Sequence, residues 1–318
     1  MILVTGATGF IGQSLVRVLA ENGHAVRVLL RPSKASPNLP KGVPVEVAVT
    51  ALNDERGLRA AMMGVEAVYH LAGSESRGGR ADLLGVDIQG TLAVTQAAKG
   101  AGVERIFLVS HLGADRASAY PVLKTKGIAE DHLRRSGLDY TIIRSSLVFG
   151  KNDNFTTALA LLCHAMPWFF LLPGDGLTML QPLWVEDLVT CLVWALDDEK
   201  TRRTIFELGG PEYFTFREVL ENVMRTLGIE RTLVATRPPY LRAITVVLEA
   251  IFPGIPVSPF WIDYLAANRT TGLDTIPRAF GVLPSRFPSH LDYLRGPNWG
   301  RLMMRALVTR RKPGHASA

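Results

Sequence analysis

The chain has 318 residues, 47% of them hydrophobic and 20% charged, which is the make-up of a folded globular protein with room for one large domain or a domain and a smaller lobe. The formal net charge of +6 lies wholly in residues 286–318, which hold seven Lys/Arg and one acid, so residues 1–285 are neutral and lack the basic body of a nucleic-acid binder. The two cysteines, Cys163 and Cys191, lie in apolar surroundings outside any CxxC, and the seven histidines form no HExxH, so free core thiols in a reducing, cytoplasmic setting and no metal site are expected.

An apolar strand opens at Ile2, so no leader is expected, and the glycines Gly6, Gly9 and Gly12 follow it before a helical pattern through Leu15, Val16, Val18 and Leu19. Gly6 permits the tight turn out of the strand, Gly9 lets backbone N–H groups approach a pyrophosphate, and Gly12 lets the helix pack closely on the sheet. The phosphates then sit on the positive end of the helix, so Gly6, Thr8, Gly9, Phe10, Ile11 and Gly12 form a dinucleotide-binding loop. Strand and helix signals alternate onward: strands at 25–30 and 43–47, a helix at 54–63, a strand at 66–71, a helix at 84–101, a strand at 105–109, a helix at 121–136 and a strand at 140–144. Short apolar strands alternating with helices specify a doubly wound parallel sheet, the Rossmann arrangement. The second strand runs into Arg31, with Lys34 nearby and no acid. An acid there would accept from ribose hydroxyls, whereas Arg31 grips a 2′-phosphate, so NADP(H) is expected over NAD(H). His70 lies inside a strand and reads as structural.

Beyond Phe149 the alternation stops and Pro and Gly become frequent. Residues 154–174 carry no Asp, Glu, Lys or Arg, but His164 and Pro167 interrupt them, which favours a buried helix and loop at a cleft over a membrane span. Residues 243–262 contain Glu249 and three prolines and read as a hydrophobic rim rather than one straight helix. Thr215 with Glu218 forms a capping box at the start of a helix ending at Leu227. The expected division is a dinucleotide-binding domain over 1–150, an interleaved substrate lobe over 151–296 and a basic, flexible tail over 297–318. The tail sets Leu302, Met303, Met304, Leu307 and Val308 among five cations, the make-up of a segment that can touch an anionic membrane.

Thr5-Gly6-Ala7-Thr8-Gly9-Phe10-Ile11-Gly12 resembles the short-chain dehydrogenase/reductase superfamily in its extended and atypical branches, and the resemblance covers about residues 1–294. It implies that Leu71, Ala72 and Gly73, after the fourth strand, pass close to the cofactor, and that the turn at Ser145 lies near the nicotinamide. Ala51 stands where the family places an adenine-holding Asp. The family's Ser, Tyr and Lys map to Ser110, Tyr120 and Lys124 in a literal YxxxK. Pro121 makes Tyr120 the residue before the helix, and a second register competes, in which Lys126 with Glu130 binds the ribose and Val122 stands where the Tyr should be. Gln181–Leu188 resembles a segment that starts a lobe helix, and Leu273–Pro284 a closing segment in which Asp274 caps a helix. The pattern Ser110–Asp115 with Lys126 and Glu130 is similar to the NmrA-like and complex I nucleotide-binding-subunit subgroup. Two functions follow from the resemblance: an oxidoreductase of reductase, dehydrogenase or epimerase/dehydratase type acting on a hydrophobic small molecule, or a non-catalytic NADPH-binding redox sensor or assembly factor.

Overall fold

A computed structural model describes residues 1–34, 36–252, 254 and 256–309, with side chains to residue 306. In chain order the first half comprises β1 (Ile2–Thr5), α1 (Phe10–Glu21), β2 (Val26–Leu30), β3 (Glu46–Val49), α2 (Glu55–Ala61), β4 (Ala67–His70), α3 (Thr91–Ala101), β5 (Arg105–His111), α4 (Pro121–Arg135) and β6 (Asp139–Ser145). After it come β7 (Val148–Phe149), α5 (Thr156–Ala165), β8 (Phe169–Pro173), β9 (Met179–Leu180), β10 (Leu183–Trp184), α6 (Val185–Asp197) and β11 (Thr204–Leu208). The chain ends with β12 (Phe214–Thr215), α7 (Phe216–Leu227), β13 (Thr232–Thr236), α8 (Pro238–Ile251), α9 (Pro259–Tyr264), α10 (Thr275–Phe280) and α11 (Trp299–Thr309).

The central sheet is parallel throughout, in the order β11-β6-β5-β4-β1-β2-β3. Its order reverses at β1, so the carboxyl ends of β1 and β4 diverge into the crevice where such sheets bind ligands. The strands β1 and β4 are buried along their whole length, as their unbroken apolar runs require. β3 starts at Glu46 rather than Val43: Pro44 has no N–H to donate to the ladder, and the first paired residue is Glu46, opposite Arg27. The helix expected over 84–101 begins with one wide-turned stretch, Leu83–Gly90, before α3, and Asp82 caps it by accepting from the Gly85 N–H at 2.9 Å.

Two elements from the second half belong to the central layer. β11 is its edge strand, paired with β6, and α6 packs against α1 with Leu188, Val189 and Leu192 in the same core as Val4, Leu15 and Val28. The resemblance implies a lobe helix here. Its buried stripe at helical spacing instead covers the β1/α1 face, and Asp187 near its start accepts from the N–H and hydroxyl of Ser285 at 2.6 and 3.2 Å. A separate core built on α5, α7, α9 and β8 forms the lobe. Thr215 and Glu218 form the expected reciprocal cap of α7. Asp274 stands at the first turn of α10 but caps no N–H, because its carboxylate pairs with Arg278. Residues 299–309 form α11 on α5, with Trp299 buried and its Nε1–H donated to the Leu294 carbonyl at 2.9 Å. Arg310, Arg311 and Lys312 lie outside the described residues. Among the described residues no helix is long and apolar enough to cross a membrane.

Candidate functional site

The β1–α1 turn is built by its glycines. Gly6 has φ +71°, and a Cβ on it would stand 2.6 Å from the Leu71 carbonyl carbon. A Cβ on Gly12 would collide with the Gly6 carbonyl, so α1 could not approach the turn. Gly9 is the N-cap of α1, with extended backbone, no side-chain cap and no acid in the first turn. The first N–H groups of a twelve-residue helix therefore point at a cleft with nothing but glycine before them, an anion cradle that fits a pyrophosphate.

The cleft has a volume of about 220 Å³ and runs from this cradle to the lobe. On the sheet side it is lined by Gly6, Gly9, Phe10, Ile11, Gly12, Leu71, Gly73, Ser110, Lys126 and Ser145, all named from the sequence. Thr8, which is exposed, and Ala72 are not part of the lining: the Thr8 carbonyl accepts from Gln13 at 3.1 Å, and the Ala72 N–H is donated to Thr5 Oγ1 at 3.3 Å. Arg31 is exposed just past the end of β2, outside the cleft lining and near Arg77; burial, then the Arg77 charge, lowers its pKa.

The two lysines separate cleanly. Lys124 is exposed and outside the cleft lining, whereas Lys126 is 7% exposed and lines it. Tyr120 is the N-cap of α4, as Pro121 dictates, and lines a small hollow whose walls Phe260 and Tyr264 it shares with the cleft, although Tyr120 itself is not part of the cleft lining. Val122, four residues before Lys126, is buried. Lys126 Nζ lies 3.0 Å from Asp87 Oδ1 and 3.5 Å from Glu75 Oε2. Burial alone would lower its pKa, but these two carboxylates raise it above the usual lysine value. Asp87 is held in turn by the N–H and hydroxyl of Ser74, at 3.1 and 2.6 Å.

Glu75 continues the chain of charges. Its Oε1 is 3.7 Å from His111 Nε2, and although burial would raise its pKa, Lys126 and His111 hold it well below the usual carboxylate range. His111 ends β5, one residue after Ser110. Its ring faces Tyr264 edge-on, with centroids 6.3 Å apart. Three buried polar atoms at this end have no hydrogen-bond partner: Ser110 Oγ, His111 Nδ1 and Tyr264 Oη. Burial raises the pKa of Tyr264, so its phenol stays protonated. The remaining walls mix apolar side chains, Leu147, Phe155, Leu161, Phe260 and Trp261 among them, with polar ones, Ser146, Asp153, Asn154 and Thr157. His70, by contrast, is spent on structure: Nδ1 meets Thr5 Oγ1 at 2.8 Å and Nε2 meets Thr91 Oγ1 at 3.0 Å.

Glu75, Asp87 and Tyr264 are absent from the sequence reading. Asp87 carries a signal, a lone acid in the apolar run Leu83–Ile88. Glu75 lies two residues past Gly73, close enough to the fourth-strand turn to suspect. Tyr264 reaches the cleft only through the packing of α9, and no local pattern marks it.

Residues 6–161 match a protein-family model described as NAD(P)H-binding. Over 96% of its length the chain is 32% identical to NADH dehydrogenase [ubiquinone] 1 alpha subcomplex subunit 9, mitochondrial, of Arabidopsis thaliana, covering 81% of that protein. It is 33% identical to a ceramide reductase of Caulobacter vibrioides, over 94% of this chain and 96% of the relative. Among solved structures, an NADPH-dependent quinone oxidoreductase of Escherichia coli, complexed with NADPH, shares the fold with a TM-score of 0.72 at 20% identity, covering 92% of this chain and 99% of that one. With the cradle at Gly6–Gly12 and Lys126 in the cleft, these likenesses place the chain in the NAD(P)H-binding family of extended and atypical, NmrA-like short-chain dehydrogenases/reductases.

Proposed function

We propose that the chain is an NADP(H)-dependent oxidoreductase that moves hydride to the carbonyl carbon of an apolar small molecule. The observation that carries this is that three cleft-lining residues, Ser110, His111 and Tyr264, each hold a buried polar atom without a partner, Oγ, Nδ1 and Oη. Buried polar groups are left unpaired where a ligand is to pair them. When bound, the cofactor supplies the hydride. The α1 cradle holds its pyrophosphate, Lys126 the nicotinamide ribose, and Arg31 with Arg77 the 2′-phosphate. The chain's own chemistry is then that of an acid. Ser110 and Tyr264 hold the substrate oxygen, His111 gives it a proton, and Glu75 steadies the imidazolium. Tyr120 and Lys124 have no part in this reading. The likeness to a ceramide reductase supports a lipid-like substrate.

NADPH oxidation followed with long-chain ketone and quinone acceptors tests it. His111→Asn and Tyr264→Phe should each lower kcat about a hundredfold with NADPH affinity unchanged, the size expected for a lost general acid or oxygen donor. Full turnover in both variants would remove the mechanism. A second reading, a non-catalytic NADPH sensor or assembly factor, is favoured by Val122 in the tyrosine's place and by the complex I subunit relative. It predicts tight NADPH binding with no turnover on any acceptor.

A further inference from the structure

Helix α8 is turned inside out. Two of its three buried positions, Thr245 and Glu249 beside Leu241, are polar, and Glu249 accepts from the Gly79 N–H at 3.0 Å. Its outward stripe is Tyr240, Ile244, Val247 and Ile251, at 63, 44, 55 and 59% exposure. A helix on a water-facing surface places these two sets the other way round. Of the exposed α8 side chains only Arg242 is charged, and Arg237 immediately precedes the helix. Among the described residues no acid stands on that face; Asp263, the partner of Arg242 at 3.0 Å, lies mostly buried. The strand on which α8 packs, β8, begins with exposed Phe169 after Trp168, which is 78% exposed.

We propose that this face docks on the leaflet of a lipid membrane carrying anionic headgroups. Three observations select lipid over a protein partner or a second copy. The stripe is aliphatic with Tyr and Trp at its borders, the side chains that settle at a bilayer interface. Its only charges are two arginines, which suit anionic headgroups. The segment between α8 and α9 also supplies Pro256, Val257 and Ser258 to the cleft lining. Docking by this face would set that segment of the cleft wall beside the leaflet. What the leaflet delivers rests on the oxidoreductase reading; docking itself does not.

Cosedimentation of the full chain with phosphatidylglycerol/phosphatidylcholine vesicles tests docking without turnover. Binding should fall by more than about tenfold in the exposed double variant Ile244→Glu/Val247→Glu, since each carboxylate would enter the interface, while the melting temperature and NADPH affinity hold. Charge reversal of Arg310, Arg311 and Lys312 should leave most of the binding. A label on Ile244→Cys should report an apolar environment on vesicle addition, and the two native thiols, both buried, leave that site the accessible one among the described residues. No vesicle binding by the natural chain, equal binding by the double variant, loss only on reversing the tail charges, or a dimer that the double variant turns into a monomer would each overturn the proposal. Failed vesicle binding with intact NADPH turnover leaves the proposed reaction standing.

Discussion

Arg31 and Arg77 stand near each other past the end of β2, where like charges are tolerated only at some cost. A 2′-phosphate would turn that repulsion into two charge-assisted contacts. Arg31→Glu should weaken NADPH roughly tenfold to a hundredfold, the equivalent of about 1.5–3 kcal/mol, and leave NADH near its original affinity. Calorimetry that finds NADPH and NADH bound equally by the natural chain would strip Arg31 of this role. The lysines allow a second test. Lys126→Ala should cost most of the NADPH affinity, whereas Lys124→Ala, a change on the exposed face of α4, should cost none. The opposite result would restore the literal YxxxK register. His70 gives a pH signature. Burial, with the Lys126 charge added, lowers its pKa to about 3. The unfolded chain takes up this proton near pH 6.5 and the folded one does not, so stability falls as pH drops from about 6.5 toward 3, at up to about 1.4 kcal/mol per pH unit. In His70→Gln, which keeps partners for Thr5 and Thr91, denaturant midpoints should fall less steeply over that window.

At the scale of elements, the β1–α1 turn separates folding from binding within one motif. A Cβ on Gly9 meets only the Gly6 carbonyl, at 3.1 Å, whereas one on Gly12 overlaps backbone. Gly9→Val should melt within a few degrees of the natural chain yet bind no cofactor. Gly12→Val should lose stability outright, because α1 must leave the sheet. Cofactor binding retained in Gly9→Val would show that the phosphates do not use this cradle. The turn was readable from sequence because its chemistry is local: glycine spacing, a strand before, a helix after. Lys126 was half-readable, since α4 was plain but Pro121 left two registers open, and only the burial of one lysine and exposure of the other decide between them. The pairing of Glu75 with His111 and the arrival of Tyr264 were not readable. They depend on strand order and on the docking of α9, which join residues 36 and 153 positions apart without any periodic trace.

The whole molecule is divided differently from its sequence. The alternating pattern ends near residue 150, yet the layer it forms is finished by residues far beyond that point. β11 pairs along its whole length with residues 141–145 of β6, and α6 lays Leu188, Val189 and Leu192, all fully buried, over α1 in the core shared with β1. Burying three such side chains contributes about 5–9 kcal/mol, as much as the net stability of many domains. A fragment of residues 1–150 would expose that face and leave β6 as an open edge of Thr141, Ile142 and Ile143, which invites strand addition by another chain. We expect this fragment to aggregate or remain molten, with helical far-ultraviolet but flat near-ultraviolet circular dichroism, and to bind no NADPH although it holds every glycine of the cradle. A fragment of 1–150 that gives dispersed amide resonances and binds NADPH would show that α6 and β11 decorate the dinucleotide-binding layer rather than complete it.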